Sequence, residues 1–181
     1  ITSEGCNVDV SDAIILDHEA DLYGALLYSD ADFTFDTVRV YDNSGAIISA
    51  LFVIASNIDS SLSLTDTYFY LNNVTGDTDG DGTVDSSAFG TVALLASAGI
   101  SLTVDALDAF LFVNSASPTQ DYSAGLLING NTDVIWTGST GALSGVFRND
   151  LNGVVMLSAD SSFTSINADF GADLADDNEL S

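Results

Sequence analysis

The sequence predicts a mainly β, single-domain fold: an antiparallel β-sandwich or jelly-roll-like arrangement with at most one or two short helices. Three observations lead there. β-Branched and aromatic residues fall in short runs separated by clusters of Gly, Asn, Asp and Ser. These turn signals recur at about the spacing of a sandwich or barrel. The single proline, Pro118, and the lack of a Pro-rich or Ser/Gly-only linker leave no natural division within 181 residues. The expected domain is therefore 1–181, with a flexible arm at 1–10 and an acidic tail at 168–181.

Taken in order, the arm "ITSEGCNVDV" leads into "SDAIILDHEADLYGALL" (11–27), a helix candidate in which Ser11 caps and Ile14, His18, Leu22 and Leu26 share a face. "DFTFDTVRVYD" (32–42), the turn "DNSG" and "AIISALFVIAS" (46–56) read as a hairpin, and "TDTYFYLNNV" (65–74) as a third strand. "SSAFGTVALLASAG" (86–99) is a second helix candidate. Strand signals continue at 106–115, 124–129, 133–138, 142–148, 153–160 and 162–170. No repeat of fixed period is evident. The tail carries Asp169, Asp173, Asp176, Asp177 and Glu179, which read as a solvated end or as cation ligands at a subunit contact.

Hydrophobic residues make up 46% of the chain and mean hydropathy is +0.31, so it is no disordered acidic tail. Charge is its most unusual property. Against 27 acidic residues stand Arg39 and Arg148, with no lysine, for a formal net charge of -25. Repulsion on this scale calls for screening salt or bound cations, which makes divalent cations expected partners. Nucleic acid is excluded, because phosphate contacts need clustered Lys and Arg. Glutamate occurs only at Glu4, Glu19 and Glu179, and this bias to aspartate leans toward oxygen-ligand metal sites, with a salt-adapted surface as the alternative.

Cys6 is alone, so it forms no intrachain disulfide; a buried small hydrophobe or a link between subunits are its two readings. The start at Ile1 fits removal of a leader peptide and an extracellular or cell-surface location. No apolar run is long enough for a membrane-spanning helix. With one histidine, His18, and no lysine, neither a zinc triad nor a histidine-based dyad is supported, and the chain is not expected to be an enzyme.

The stretch "NNVTGDTDGDGTVDSSAF" (72–89) carries the most specific chemistry. Calcium takes 6 to 8 oxygen ligands, and aspartates at alternate positions of a tight loop supply them, with glycine at the sixth position allowing the turn. Asp77, Asp79 and Asp81 fall at positions 1, 3 and 5, Gly82 at 6, Thr83 at 7 for a carbonyl, and Asp85 at 9. The motif resembles the calcium loop of EF-hand and dockerin modules, and also the aspartate-rich repeats of thrombospondin-like modules, over about a dozen residues. Ala88 departs from it at position 12, where the family places a bidentate acid. The last ligand must then come from water, from elsewhere in the fold, or from another molecule. Asn73 begins an N-glycosylation sequon just before the loop. Asp9, Asp12, Asp17 and Asp21, and likewise Asp30, Asp32 and Asp36, are weaker acidic clusters, each a solvated face or a contributor to a second ion.

These features together point to a structural subunit of an extracellular self-assembling polymer, a filament, tube or surface layer, whose contacts calcium stabilises. In general character the chain resembles secreted camelysin/TasA-type fibre proteins and archaeal cannula subunits, which implies homopolymerisation. One alternative is a calcium-dependent adhesion or carbohydrate-binding β-sandwich, with Tyr68, Phe69 and Tyr70 beside the loop. Another is a salt-adapted capsid or surface-layer protein.

Overall fold

The computed structural model describes residues 2–83, 90–112, 114–116, 124–139, 145–147, 153–157 and 160–170. Among these every regular element is a strand, and every strand pairing is parallel. The chain winds as a coil. Its first turn comprises β1 (Thr2–Glu4), β2 (Val8–Ser11), β3 (Ile14–Leu16) and β4 (Glu19–Ala20). The second comprises β5 (Leu26–Ser29), β6 (Asp32–Asp36), β7 (Arg39–Tyr41) and β8 (Ser44–Gly45). Then follow β9 (Ile48–Ala55), β10 (Ser60–Thr65), β11 (Tyr68–Tyr70) and β12 (Asn73–Val74), and β13 (Gly90–Ala96), β14 (Leu102–Leu107), β15 (Phe110–Phe112) and β16 (Ser115–Ala116). The last turns hold β17 (Ala124–Asn129), β18 (Thr132–Thr137) and β19 (Gly145–Phe147), and β20 (Gly153–Leu157), β21 (Ser162–Ile166) and β22 (Asp169–Phe170).

Each turn is a rung lying in register on the next, so equivalent strands form four sheets: β1-β5-β9-β13-β17-β20, β2-β6-β10-β14-β18-β21, β3-β7-β11-β15-β19-β22 and β4-β8-β12-β16. This is a parallel β-solenoid, and it overturns the expected antiparallel sandwich or jelly roll. The expected hairpin at 32–56 is instead four strands in four different sheets. Residues 11–27, a helix candidate, run from the end of β2 through β3 and β4 into β5. In the other candidate, Gly90–Ala96 is β13, while 86–89 lie outside the described residues. The arm is paired within the chain, β1 on β5 and β2 on β6. The tail beyond 170 lies outside the described residues.

A repeat does exist, with a varying length. In the third sheet Ile14 pairs with Arg39, Arg39 with Tyr68, Tyr68 with Phe110 and Phe110 with Gly145, offsets of 25, 29, 42 and 35 residues.

Inward-facing residues at alternate positions fill the interior. The second sheet shows this most plainly: Phe33, Phe35, Leu62, Leu64, Val104 and Val134 are all buried, while their neighbours face out. Tyr28 packs its ring on Phe33 and Phe35 at 4.8 and 5.6 Å, and burial raises its hydroxyl pKa.

At the corner between the third and fourth sheets, Asn43, Asn72 and Asn114 stack one per rung, each at most 1% exposed. The Asn72 amide oxygen accepts from the Asn43 backbone N–H (3.2 Å) and side-chain amide (2.9 Å), and its own Nδ2 donates to the Val40 carbonyl and to Asn114 Oδ1 (3.0 and 3.1 Å). Asn114 Nδ2 donates in turn to the Phe69 carbonyl. In the first rung His18 holds the equivalent position and donates its backbone N–H to Asn43 Oδ1. The lone histidine thus belongs to the fold's corner. The recurring "YDNS", "YLNN" and "FVNS" at 41–44, 70–73 and 112–115 are the sequence trace of this ladder.

Corners also account for the aspartate bias. Asp12, Asp17, Asp30, Asp42, Asp66, Asp108 and Asp160 all have positive φ, a conformation that Asp tolerates far better than Glu or the β-branched residues. At the corner after the second sheet, the N–H groups of Asp12, Thr37, Asp66 and Asp108 each donate to a carbonyl of the next rung, holding the turn to the stack. Several carboxylates find N–H donors in place of cations. Asp30, 7% exposed, accepts from the Asn57 backbone N–H, the Ser56 N–H and the Asn57 amide, and these bonds hold its pKa below the ordinary carboxylate range.

Two predictions follow from these corners. Replacing Asn72 by Ala removes the acceptor of the buried Asn43 N–H and side-chain amide and the donor to Asn114 Oδ1, and urea unfolding should show a loss of about 2–5 kcal/mol. Because the folded pKa of Asp30 is depressed, its contribution is full above about pH 4 and fades as pH falls through the folded value. Asp30→Asn should therefore be less stable than the parent at pH 7 and show a shallower fall in stability below pH 4, measured by urea unfolding across pH.

Candidate metal centre

The loop that carries the aspartates is an insertion between rungs. From the second to the third rung the register advances 29 residues, and from the third to the fourth 42. The extra length leaves the stack directly after β12. The N–H groups of Thr75 and Gly76 still bond the Gly45 and Ala46 carbonyls at 3.1 and 3.0 Å, and beyond them the chain departs. Growing a loop there costs the core nothing, because every inward-facing position of the rungs before and after is already filled.

Within the loop, Asp77 accepts from the Gly80 N–H at Oδ1 (2.7 Å) and from the Gly82 N–H at Oδ2 (2.8 Å). Asp79 Oδ1 accepts from the Asp81 N–H (3.1 Å), and Asp81 Oδ1 from both the N–H and the hydroxyl of Thr83. Gly80 and Gly82 have φ of 79° and 84°, which glycine adopts without strain. The result winds the chain around its own carboxylates. One oxygen each from Asp77, Asp79 and Asp81 lies within 4.8 Å of the other two. Ligands at about 2.4 Å from a common ion are at most about 4.8 Å apart, so the three suit a single calcium-sized cation. The bonds between Asp79 and Asp81 and between Asp81 and Thr83 use Oδ1 of each carboxylate.

Asp77, Asp79, Asp81 and Thr83 therefore occupy one small loop, as their spacing predicts. Thr83 bonds Asp81 rather than pointing away, and its hydroxyl and N–H lower the Asp81 pKa. Asp85 and Ala88 lie outside the described residues. Asn73 sits in β12, half-buried, immediately before the insertion.

What sequence spacing did not reveal is the loop's neighbour. Asp77, Thr78, Asp79 and Gly80 face Glu19, Ala20, Asp21 and Ser44 across a shallow cleft on the fourth sheet. Asp21 and Glu19 thus join the loop's acids, although some 60 residues separate them in sequence. The other clustered acids go elsewhere. Asp12 and Asp17 are corner residues, Asp32 accepts from the Ser61 hydroxyl (2.6 Å), and Asp36 from that of Thr37.

Phe69 is fully buried, Tyr70 stacks on Tyr41 with centroids 4.7 Å apart, and the Arg39 guanidinium lies 3.8 Å above the Tyr68 ring. Their faces are engaged by the rungs themselves. Arg39 also bonds the carbonyl and carboxylate of Asp66, so this cation is fully committed within the fold. Cys6 is exposed, which overturns its reading as a buried small hydrophobe. Comparison with protein-family models, curated proteins and solved structures finds no match.

The Thr83 bonds to Asp81 make a prediction about titration. In carbon-13 NMR the Asp81 carboxyl should titrate below the ordinary aspartate range, and Thr83→Ala should move it upward. An Asp81 that titrates identically in both proteins would contradict the loop geometry.

Proposed function

We propose that this chain is a structural module of an extracellular, self-associating assembly, with calcium held in the Asp77 loop. The observation that carries the reading is the solenoid itself. Each rung is a template for the next, so the architecture grows along one axis and presents backbone edges to whatever stacks upon it. Such a body can serve as a spacer or building block.

Calcium enters through charge. The loop gathers three carboxylates and faces two more across the cleft, in a chain whose arginines are two. A divalent ion there would lower the repulsion between copies and draw the loop toward the first rung, whose Asp21 and Glu19 line the same cleft.

Negative-stain electron microscopy and light scattering with calcium or EGTA test this. Calcium should produce extended assemblies, EGTA should dissolve them, and the double variant Asp79→Asn with Asp81→Asn should lose the calcium response. Particles that stay small at every calcium concentration would overturn the assembly reading. Extended assemblies in sodium or potassium alone would instead mark a salt-adapted surface protein with no specific ion.

A further inference from the structure

The four sheets do not present the same outer face. In the second sheet mostly polar and acidic residues alternate with the core: Asp32 and Asp36 in β6, Ser61, Ser63 and Thr65 in β10, Thr103 and Asp105 in β14, with Leu107, Ile135 and Ile166 as the apolar outer positions. The first sheet does not alternate in this way. Its strands β5, β9, β13, β17 and β20 read LLYS, ISALFVIA, GTVALLA, AGLLIN and GVVML, without one charged residue in a chain that carries 27 acids; the charge in this sheet is Glu4, at the end of its edge strand β1. A parallel sheet covered on both faces reads as continuous apolar runs, and a sheet with one wet face as alternation.

The outer positions bear this out. Leu27, Phe52, Ala93 and Leu127 stand in one register column, with Ile54 and Leu95 in the next. Phe52, Ile54, Leu95 and Leu127 are each partly exposed, while the residues on either side of them, such as Leu51, Val53, Leu126 and Ile128, point inward and are fully buried. Tyr23 lies against Phe52 with ring centroids 5.0 Å apart and forms one wall of an apolar groove that runs past Ala93 to Leu127.

We propose that the outer face of the first sheet is a lateral self-association surface, which a second copy of this chain covers sheet on sheet. The proposal rests on the self-association reading above and names its contact. Charge selects the occupant. A cationic partner would be drawn to the acidic outer face of the second sheet, whereas two bodies of net charge -25 can come into close contact only where neither carries carboxylates. Uncharged against uncharged is complementary to itself, as a two-fold contact requires.

The area sets the strength. Five strands about 4.8 Å apart and about 17 Å long offer roughly 400 Å² per copy, about half the share of a standard stable interface. One such pair is weak, and repetition along an assembly multiplies it. Salt strengthens it by screening the repulsion of the remaining surface, with no need for calcium.

Sedimentation equilibrium of the full chain in EGTA, at low and high sodium chloride, tests the surface directly. The parent should pass from monomer toward dimer as salt and protein concentration rise. Leu127→Asp and Leu127→Lys should each weaken the dimer about tenfold or more. Ile135→Asp, an exposed site on the second sheet, should leave it unchanged, and far-UV circular dichroism should show all three folded. Lysine is the decisive variant, since it lowers the net negative charge: a dimer strengthened by Leu127→Lys would mean that the contact is electrostatic and would overturn the proposal. A parent that stays monomeric at high salt would also overturn it, because the face would then belong to a different partner or to another part of the same polypeptide. The two readings fail separately. A chain that polymerises with calcium yet never pairs in salt loses this contact alone, and one that pairs in salt yet never polymerises with calcium keeps the contact and loses the calcium reading.

Discussion

In-register parallel stacking governs everything else in this molecule. Each side chain sits above its counterpart in the next rung, about 4.8 Å away, so a column of like residues must either attract itself or be broken up. Asparagine attracts itself, since its amide is donor and acceptor at once, and Asn43, Asn72 and Asn114 exploit this with no water between them. Tyrosine does so through its ring, as Tyr41 on Tyr70 shows. Carboxylates do not.

A chain with 27 acids and no lysine therefore faces the stacking rule in its most severe form. Its outer columns answer by interleaving. Along the second sheet one column runs Asp32, Ser61, Thr103, Asp133, Ser162, and the next Asp9, Thr34, Ser63, Asp105, Ile135, Thr164. Aspartate never meets aspartate in these columns, and the Ser61 and Ser162 hydroxyls each donate to the carboxylate beside them at 2.6 Å. Hydroxyls and corner N–H groups take the place that lysine and arginine hold in ordinary proteins. In the Asp77 loop, which has left the stack, three carboxylates gather with an oxygen of each within 4.8 Å of the other two, the one such acidic cluster among the described residues. That contrast is the physical basis for reading the loop as a cation site and the solenoid's acids as surface and corner chemistry.

The same constraint separates the faces by task. Stacking gives each sheet one outer surface along the whole axis, so a composition bias repeated once per rung becomes a continuous stripe. The first sheet is mostly apolar from β5 to β20, the second mostly hydroxyl and carboxylate, and the fourth leads into the loop and cleft. Apolar columns, polar columns and the aspartate loop thus fall on different sides of one body.

Strand content, the positions of strands such as β6, β9, β17, β18 and β20 and the aspartate loop were legible in the sequence, because all three depend on local chemistry: β-branched runs, turn residues and alternate-position carboxylates; β1 to β5, β10, β13 and β14 were not, their residues reading as an arm, as helix candidates or as no element. Whether the strands paired antiparallel or parallel was not. Asp, Asn and Ser clusters mark a hairpin reversal and a solenoid corner alike, and the corners at Asp30 and Thr37 turn the chain with one or two residues where a hairpin would reverse it. The repeat was masked by insertions that vary each rung's length, although the aromatic-x-Asn-polar trace at 41–44, 70–73 and 112–115 and the continuous apolar runs of β9 and β13 carried it. By itself the sequence determined a β-rich core, a polyanionic surface and three loop carboxylates spaced to meet. Tertiary structure alone decided that Asp21 and Glu19 lie across from that loop, that the asparagines stack and that one face carries no charge from β5 to β20. Those facts depend on register between residues 25 to 42 positions apart, which no local spacing records.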